Sequence, residues 1–349
     1  MLRFLPVVLL LVSVAAQAAG PSRAAIASAH PLATEAGREI LEQGGNAFDA
    51  AVAVAAALSV VEPYSSGIGG GGFWLLHRAS DGHQTMLDAR ETAPGRATAD
   101  MYQNDQGEVQ REWSMEGPSA AGIPGQPAAF VHLAEQYGKL PLKKTLAPAI
   151  ELAEDGFAIG EHYRKMANWR RDLLNRFPEA RSIFLHHGKV PGKGWRLQQP
   201  DLARTLRAIA NEGRAGFYQG EIAQKLVEGV QLNGGLWTRA DLKDYEVKER
   251  EPITGEFRGA RIVSAAPPSS GGIVLLEALH ILETFNGGDI DRTLFPHLAV
   301  EAMRRAYRDR AEYLGDPDFV DMPVEKLLSR EYATKLAASI EPDQATPSN

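Results

Sequence analysis

The sequence contains no cysteine among its 349 residues. This excludes a disulfide framework, a zinc site built from C-x-x-C pairs and a cysteine nucleophile. The G-x-S-x-G elbow of α/β-hydrolases and the H-E-x-x-H pair of zinc peptidases are also missing. The adjacent His186 and His187 are predicted to lie in an exposed loop, because neighbouring residues point apart and no carboxylate stands at ligand spacing. The residues alone therefore identify neither a metal site nor a nucleophile.

Positive charge is also scarce, with 37 Lys and Arg residues against 44 Asp and Glu and a formal net charge of −7. Proteins that bind nucleic acids usually carry a basic face, so this balance argues against a nucleic-acid partner. The hydrophobic fraction of 44% is ordinary for a globular protein. A chain of this length buries a substantial core without disulfides or a structural metal.

Hydrophobic runs long enough to cross a membrane are missing as well. The run Leu5–Ala16 follows a basic residue and ends in an A-x-A site, which is the layout of a secretory signal peptide. It is too short to span a bilayer comfortably. We therefore expect residues 1–18 to be removed and residues 19–349 to form the mature chain. The sequence predicts a secreted or periplasmic protein that has no membrane partner once the signal is removed.

The sequence does contain a mixture of helical and strand patterns. After a short predicted strand at Ala24–Ser28, two helices are expected on either side of Gly44-Gly45. Asn46 is placed to cap the second helix. The apolar run of that helix is not a membrane span, because Asp49 interrupts it and Pro63 closes it. Its many alanines allow another element to approach closely, so the helix is predicted to lie in the core.

A hairpin is the clearest strand signal. Phe73–His77 and Gln84–Ala89 are predicted to pair around Asp81-Gly82. Several helical segments follow, then a strand-like segment, and then a helix for which Ser269 or Ser270 is the expected N-cap. Regular alternation of strands and helices is missing, so the pattern indicates an α+β fold in one domain.

A glycine-rich stretch, "SSGIGGGG", matches G-x-G-x-x-G over Gly67–Gly72. That fingerprint binds a dinucleotide only where a strand precedes the glycines and a helix follows. Here a helix precedes and a strand follows, and the acidic Asp88 belongs to the hairpin. No Gly-Lys-Ser/Thr follows that would make a phosphate-binding P-loop. Two interpretations stay open, a loop packed tightly against the core and a loop that lines a pocket.

Seven segments, taken together and in order, resemble the large-subunit region of the γ-glutamyltransferases. These enzymes are also called glutathione hydrolases and belong to the N-terminal nucleophile (Ntn) hydrolase superfamily. The matching segments run from about Ala25 to about Tyr332: "EILEQGGNAFDAAVAVAAALSVVEPYSSGIGGGGF", "DARETAP", "GIPGQPAAF", "YGKLPLKKTLAPAIELAEDGF", "LKDYEV", "PPSSGG" and "RAYRDRAEYLGDPDF".

The resemblance implies an αββα sandwich of the Ntn-hydrolase type, with residues 19–349 as the large-subunit part of one domain. It implies a precursor that cleaves itself, so that the partner is the small subunit of the same precursor. The new N-terminal threonine of that subunit attacks γ-glutamyl amides such as glutathione, with its own α-amino group as base. The γ-glutamyl group then passes to water, an amino acid or a dipeptide. No metal or organic cofactor is implied.

Two site residues follow from the resemblance. Arg90, in "LDARETAP", matches the arginine that holds the α-carboxylate of the glutamyl group. A guanidinium suits this role because it donates two parallel hydrogen bonds to one carboxylate. Glu91 matches the neighbouring glutamate, which orients the arginine or meets the α-ammonium of the donor.

The sequence departs from the family pattern in one respect. No threonine stands in the nucleophile context of the family, and Thr346 lies only in the polar tail "EPDQATPSN". No catalytic residue is therefore assigned, and we expect these 349 residues alone to be inactive. Two alternatives remain, a cephalosporin or glutaryl acylase of the same superfamily, and an inactive secreted fragment with a binding or structural role.

Overall fold

The structure is a computed structural model that describes residues 24–285 and 293–347. The predicted signal peptide, residues 1–18, lies outside the described residues. Helices and strands alternate irregularly, as an α+β fold requires. The helices are α1 (Pro31–Glu42), α2 (Ala47–Val61), α3 (Gln126–Gln136), α4 (Leu142–Thr145), α5 (Ala147–Asp155), α6 (Glu161–Trp169), α7 (Arg171–Arg176), α8 (Pro178–Phe184), α9 (Pro200–Glu212), α10 (Ala215–Tyr218), α11 (Gly220–Leu232), α12 (Arg239–Asp244), α13 (Gly271–Glu283), α14 (Phe295–Tyr313), α15 (Val324–Leu327) and α16 (Arg330–Ala337).

The strands form three small antiparallel sheets among the described residues. They are β1 (Gly72–Arg78), β2 (His83–Ala89), β3 (Phe157–Ala158), β4 (Arg196–Leu197), β5 (Lys248–Arg250), β6 (Ile253–Phe257) and β7 (Ala260–Ser264). The first sheet has the order β1-β2-β5, and β3-β4 and β6-β7 form the other two. β5 joins β2 far along the chain, with Met86 opposite Arg250 and Asp88 opposite Lys248. This pairing brings the region after α12 to the end of the hairpin.

The alanine-rich α2 lies in the main core, as predicted. Its alanines leave room for close helix contacts, and Ala53, Ala56 and Ala57 are fully buried. Asn46 caps the helix, with Oδ1 accepting from the amides of Phe48 and Asp49 at 2.9 and 3.0 Å. Asp49 Oδ2 in turn accepts a hydrogen bond from the Asn46 amide at 2.8 Å, which completes a capping box.

The predicted hairpin is confirmed, and its register places Gly72 opposite Ala89 and Arg78 opposite His83. Gly82 takes a positive φ of 72° in the turn, a conformation that glycine adopts without strain. The predicted strand at Ala24–Ser28 is wrong, because no ladder to another strand forms there within the described chain. Packing replaces pairing in this segment: the side chain of Ile26 lies over Gly37 of α1, next to Val54 of α2.

A second, smaller core joins α13, α14 and α16. Glu301 of α14 is buried beside it and forms an ion pair with Arg305 at 2.7 Å. The backbone amide of Thr346 donates to Glu301 at 3.1 Å. The polar tail is therefore held on α14, a contact that the sequence did not indicate. Within the described ranges, no helix is both long enough and apolar enough to cross a membrane.

Candidate functional site

The hairpin ends where the candidate site begins, because Arg90 and Glu91 directly follow β2. The main chain of Arg90 is held on both sides. Its amide donates to Asp88 Oδ1 at 3.1 Å, and its carbonyl accepts a hydrogen bond from the Tyr245 hydroxyl at 2.8 Å. The backbone of this residue is thus fixed by neighbours, and its side chain is left to project.

The side chain of Arg90 is 56% exposed and lines an open cleft of about 420 Å³. Its guanidinium carbon lies 5.9 Å from the centre of the Phe73 ring. Nε is 3.4 Å from Glu91 Oε2, an ion-pair contact without the geometry of a hydrogen bond. Ser269 and Ser270 line the same cleft. The cleft therefore presents a guanidinium whose hydrogen-bond donors are open to an anion.

Glu91 lies between this cleft and a second hollow under the glycine stretch, and it lines both. Its Oε2 atom is buried and has no hydrogen-bond partner among the described residues. A buried carboxylate oxygen without a donor is costly unless a ligand supplies one. The structure thus brings the two predicted site residues together and leaves one hydrogen-bonding position of Glu91 unfilled.

Asp88 does not neutralise Arg90, because Arg250 of β5 occupies its carboxylate. Arg250 Nε donates to Asp88 Oδ2 at 2.8 Å, and Arg250 Nη2 donates to Asp318 Oδ2 at 2.9 Å. Hydrogen bonds from Arg250 and Lys248 lower the pKa of Asp318 to about 2. Burial opposes the charge of Arg250, but its two carboxylate partners outweigh burial and raise its pKa. This network fixes β5 against β2 while the charge of Arg90 stays available.

The glycine stretch packs against the turn that carries Arg90. The Gly70 carbonyl accepts hydrogen bonds from the amides of Gly125 and Gln126, both at 2.9 Å. A Cβ at Gly71 or at Gly125 would lie 2.1 Å from the Ala89 carbonyl oxygen, far inside contact distance. Both interpretations of the glycines are therefore correct, since the loop packs tightly and also lines the hollow beside Glu91.

Tyr245 is a site residue that the sequence did not indicate. It is 4% exposed and stacks on Tyr218, with ring centres 5.7 Å apart and an interplanar angle of 4°. Burial raises the pKa of its phenol, and the carboxylates of Asp88 and Glu91 add to the effect. Its only signal was its place in "LKDYEV", because no local pattern tells which carbonyl a tyrosine will reach.

Of the two predicted capping serines, Ser269 is the one that caps: its Oγ accepts a hydrogen bond from the amide of Gly271, the first residue of α13, at 3.3 Å. Ser270 stands at the N-cap position of α13, but its backbone is helical and its side chain caps no amide. Its Oγ instead accepts a hydrogen bond from Arg310 Nε at 2.9 Å.

His186 and His187 lie in an exposed turn, as predicted. Within residues 24–285 and 293–347, no group of three or more metal-ligating side chains is assembled.

Comparisons with known proteins agree with this geometry. The family model described as gamma-glutamyltranspeptidase matches residues 33–349. A glutathione hydrolase proenzyme of Pseudomonas sp. (strain A14) is 42% identical over 93% of this chain. An acylase ACY 1 proenzyme of Pseudomonas sp. (strain SE83) is 39% identical over 94% of it. The crystal structure of Helicobacter pylori gamma-glutamyltranspeptidase superposes with a TM-score of 0.87 at 41% identity, covering 92% of this chain and 93% of that one.

The lengths differ between these matches. The chain spans 57% of the Pseudomonas sp. (strain A14) proenzyme and 60% of the acylase proenzyme. The fold prediction is confirmed: the chain carries the large-subunit portion of an Ntn-hydrolase sandwich, with α+β composition. The family model covers nearly the whole described chain, and the identities far exceed what fold likeness alone would give. The chain belongs to the gamma-glutamyltranspeptidase family.

Proposed function

We propose that this chain supplies the donor-binding side of an enzyme that cleaves γ-glutamyl amides such as glutathione. The observation that carries the proposal is the exposed guanidinium of Arg90, fixed through its main chain and placed 3.4 Å from a carboxylate oxygen that has no hydrogen-bond donor. One cation and one open acceptor side by side match the α-carboxylate and α-ammonium that every γ-glutamyl donor carries.

In this proposal Arg90 binds the donor α-carboxylate and Glu91 Oε2 accepts a hydrogen bond from the α-ammonium. These two contacts fix the glutamyl end of the donor. The γ-amide is thereby held at a constant position relative to Arg90 and Glu91, ready for attack. A threonine hydroxyl outside this chain attacks the amide carbonyl, the amine leaves with a proton, and a γ-glutamyl ester remains. Water, an amino acid or a dipeptide then takes the glutamyl group. No step requires a metal or an organic cofactor.

The partner belongs to the proposal as well. Relatives of this chain are proenzymes that are longer than it is, since it spans 57% of one and 56% of another. We propose that a small subunit from the same precursor completes the protein and brings the nucleophile. The exposed apolar residues on one side of α14, Val300, Met303 and Tyr307, support a covering partner.

An acylase is the second candidate, because acylase ACY 1 proenzymes are as similar as several glutathione hydrolase proenzymes. A glutaryl group has no α-ammonium, so it would leave Glu91 Oε2 without a donor. That oxygen is buried and has only the ion-pair contact with Arg90, and a buried acceptor without a hydrogen bond costs about 1–3 kcal/mol. The geometry therefore favours a γ-glutamyl donor over a glutaryl donor.

The test uses the complete protein, expressed with the coding sequence that follows residue 349. It compares turnover of γ-glutamyl and glutaryl anilides in the wild type and in Glu91→Gln, with Glu246→Gln as the control. Glu246 is exposed and lines the same cleft but does not contact Arg90. We expect the wild type to turn over the γ-glutamyl compound faster than the glutaryl compound. Glu91→Gln should lower turnover of the γ-glutamyl compound by about tenfold, and Glu246→Gln should not.

Three results would contradict the proposal. Preference for the glutaryl anilide would assign the protein to the acylases. Equal losses on both substrates in Glu91→Gln would remove the carboxylate from ammonium binding. A stop codon directly after residue 349, with no threonine-led segment, would favour the inactive fragment.

A further inference from the structure

The charge of the chain is unevenly distributed. Between Glu161 and Arg196 there are nine Lys and Arg residues and three acidic ones, although the whole chain has a net charge of −7. The remainder of the protein is correspondingly more acidic. This basic segment covers α6, α7, α8, the turn after them and β4. Whole-chain composition concealed a local cationic surface, which we call the basic face.

Much of this positive charge is not compensated within the protein. Lys165, Arg181, Lys189 and Lys193 are exposed, and none of them has an ion-pair partner among the described residues. Exposed cations that have no carboxylate nearby repel one another, and this repulsion slightly destabilises the folded state. An anionic surface would relieve that cost.

Two of these cations surround one open hollow. Arg181 and Lys189 line it together with His186 and His187, and no carboxylate is among its lining residues. The turn is held in place because the side chain of Asn175 donates to the Gly188 carbonyl at 3.1 Å. The hollow is therefore a fixed cationic depression with room for a hydrated anionic group.

An apolar groove of about 310 Å³ lies directly beside this hollow. Leu174 and Phe184 line the groove, and the residues that follow each of them line the hollow. At the groove, Trp169 is 68% exposed and Met115 is 57% exposed, although both side chains are large and apolar. The guanidinium carbon of Arg170 stands 4.3 Å from the centre of the Trp169 ring. An exposed tryptophan thus stands directly beside a cation of the basic face, and the nearest carboxylate to that cation, Glu116, is 3.9 Å away.

We propose that the basic face docks the protein on an anionic phospholipid surface. Cations that meet headgroups, next to a tryptophan and a methionine that enter the interfacial layer, are the composition that lipid surfaces select. The acidic remainder of the molecule is repelled by the same surface, so the protein would bind with this face down. The tryptophan favours a lipid over a dissolved polyanion, because only a lipid surface offers an apolar layer beside its negative charges. The inference is independent of the proposed function.

The experiment is sedimentation of the complete protein with vesicles of phosphatidylglycerol and phosphatidylcholine, and with vesicles of phosphatidylcholine alone. We expect binding to the anionic vesicles only, and its loss in about 0.5 M salt. The triple variant Lys165→Glu, Arg181→Glu and Lys189→Glu should lower the partition coefficient by about 100-fold. Trp169→Ala should lower it by about tenfold.

The matched control reverses three exposed lysines elsewhere, Lys143→Glu, Lys144→Glu and Lys335→Glu, and should bind at least tenfold better than the first triple variant. Circular dichroism and thermal melting check that both triple variants are folded. Equal binding to neutral vesicles, or equal loss in both triple variants, would overturn the proposal. Binding to heparin or DNA through the same residues, without binding to vesicles, would assign the face to a soluble polyanion instead.

Discussion

At the scale of single residues, Arg90 and Arg250 stand beside the same aspartate and do different things. Arg250 is 16% exposed and shares its donors between Asp88 and Asp318. Arg90 donates to Asp88 only through its main-chain amide, so its guanidinium faces the cleft without a hydrogen-bonded carboxylate. One arginine therefore fixes the sheet, and the other is available to bind an anion.

The first prediction concerns the charge of Arg90. In the complete protein, Arg90→Met should raise KM for a γ-glutamyl donor by about 100-fold, because a bidentate ion pair is lost. Self-cleavage should continue, since Arg90 does not hold the backbone through its side chain. Arg78→Met, at the far end of the same hairpin, is the control. Unchanged KM in Arg90→Met would remove this residue from the site.

A second prediction separates position from charge. Tyr245→Phe removes the hydroxyl that holds the Arg90 carbonyl and should raise KM about fivefold while kcat changes less. Tyr163→Phe is matched to it, because Tyr163 is equally buried at 4% exposure and its hydroxyl donates to the Phe184 carbonyl at 2.7 Å. Both variants should lose about 1 kcal/mol of stability. If KM rises equally in both, Tyr245 acts only through general stability.

At the scale of elements, the hairpin, α1 and α2 could be predicted because their signals are local. Asn46 and Asp49 are three residues apart, and Asp81-Gly82 lies within the turn it forms. The pairing of β5 with β2 could not be predicted, since it joins residues that are about 160 positions apart and rests on the Arg250–Asp88 contact. The strand predicted at the start of the mature chain failed for the same reason, because a strand depends on a distant partner.

The packing of the glycine loops gives the third prediction. Gly125→Ala should lower the free energy of unfolding by about 3 kcal/mol, because the new methyl would meet the Ala89 carbonyl and the Tyr245 hydroxyl, each at 2.1 Å. Gly69→Ala adds the same atom where nothing lies within 4 Å, so it should change stability by less than about 0.5 kcal/mol. Denaturant unfolding measures both. A neutral Gly125→Ala would show that the two loops are not in close contact.

The fourth prediction concerns the contact between α13 and α14. Glu277 is 1% exposed, and neither of its carboxylate oxygens has a hydrogen-bond partner among the described residues. Burial, and then the nearby Asp309, raise the pKa of Glu277 to about 8, while Arg308 opposes the shift. Tyr332 of α16 faces the same cluster and donates to Asp309 at 2.6 Å.

Because folding raises this pKa, the stabilising form is the protonated one. The contribution of Glu277 to the free energy of unfolding should therefore be fully present below about pH 4.5, and it should be lost as pH rises towards about 8. Glu277→Gln should remove that fall and be about 2 kcal/mol more stable than the wild type above pH 8. Urea unfolding at several pH values measures it. Glu331→Gln, at an exposed position, should leave the profile unchanged.

At the scale of the whole molecule, sequence resemblance identified the family and the fold, and charge counting gave a misleading picture of the surface. A net charge of −7 argued against a nucleic-acid partner, yet the segment from Glu161 to Arg196 carries nine Lys and Arg residues against three acidic ones. Averages over a chain do not reveal where charges meet, because that depends on packing. The division of residues 19–349 as part of one domain and the export of the protein both stay predictions.

Export supplies the fifth prediction. Expressed from residue 1 in a bacterial host, the protein should be found outside the cytoplasm with a new N-terminus at Ala19, because the apolar run and A-x-A site direct cleavage there. Leu10→Arg interrupts the run and should keep the protein in the cytoplasm. Mass spectrometry of each fraction measures the outcome. An intact Met1 on exported protein would contradict the cleavage.

The two hydrogen bonds to the main chain of Arg90 also determine how much conformational entropy is lost when a ligand binds. The backbone conformation of Arg90 is fixed before anything binds. A ligand therefore does not have to order that backbone, which would cost about 1–2 kcal/mol per residue. Only the side-chain torsions of Arg90 lose freedom, about 2 kcal/mol at most. Binding of a γ-glutamyl donor, as proposed above, should therefore carry a modest entropic penalty, and the same recognition should serve donors that differ widely beyond the glutamyl end.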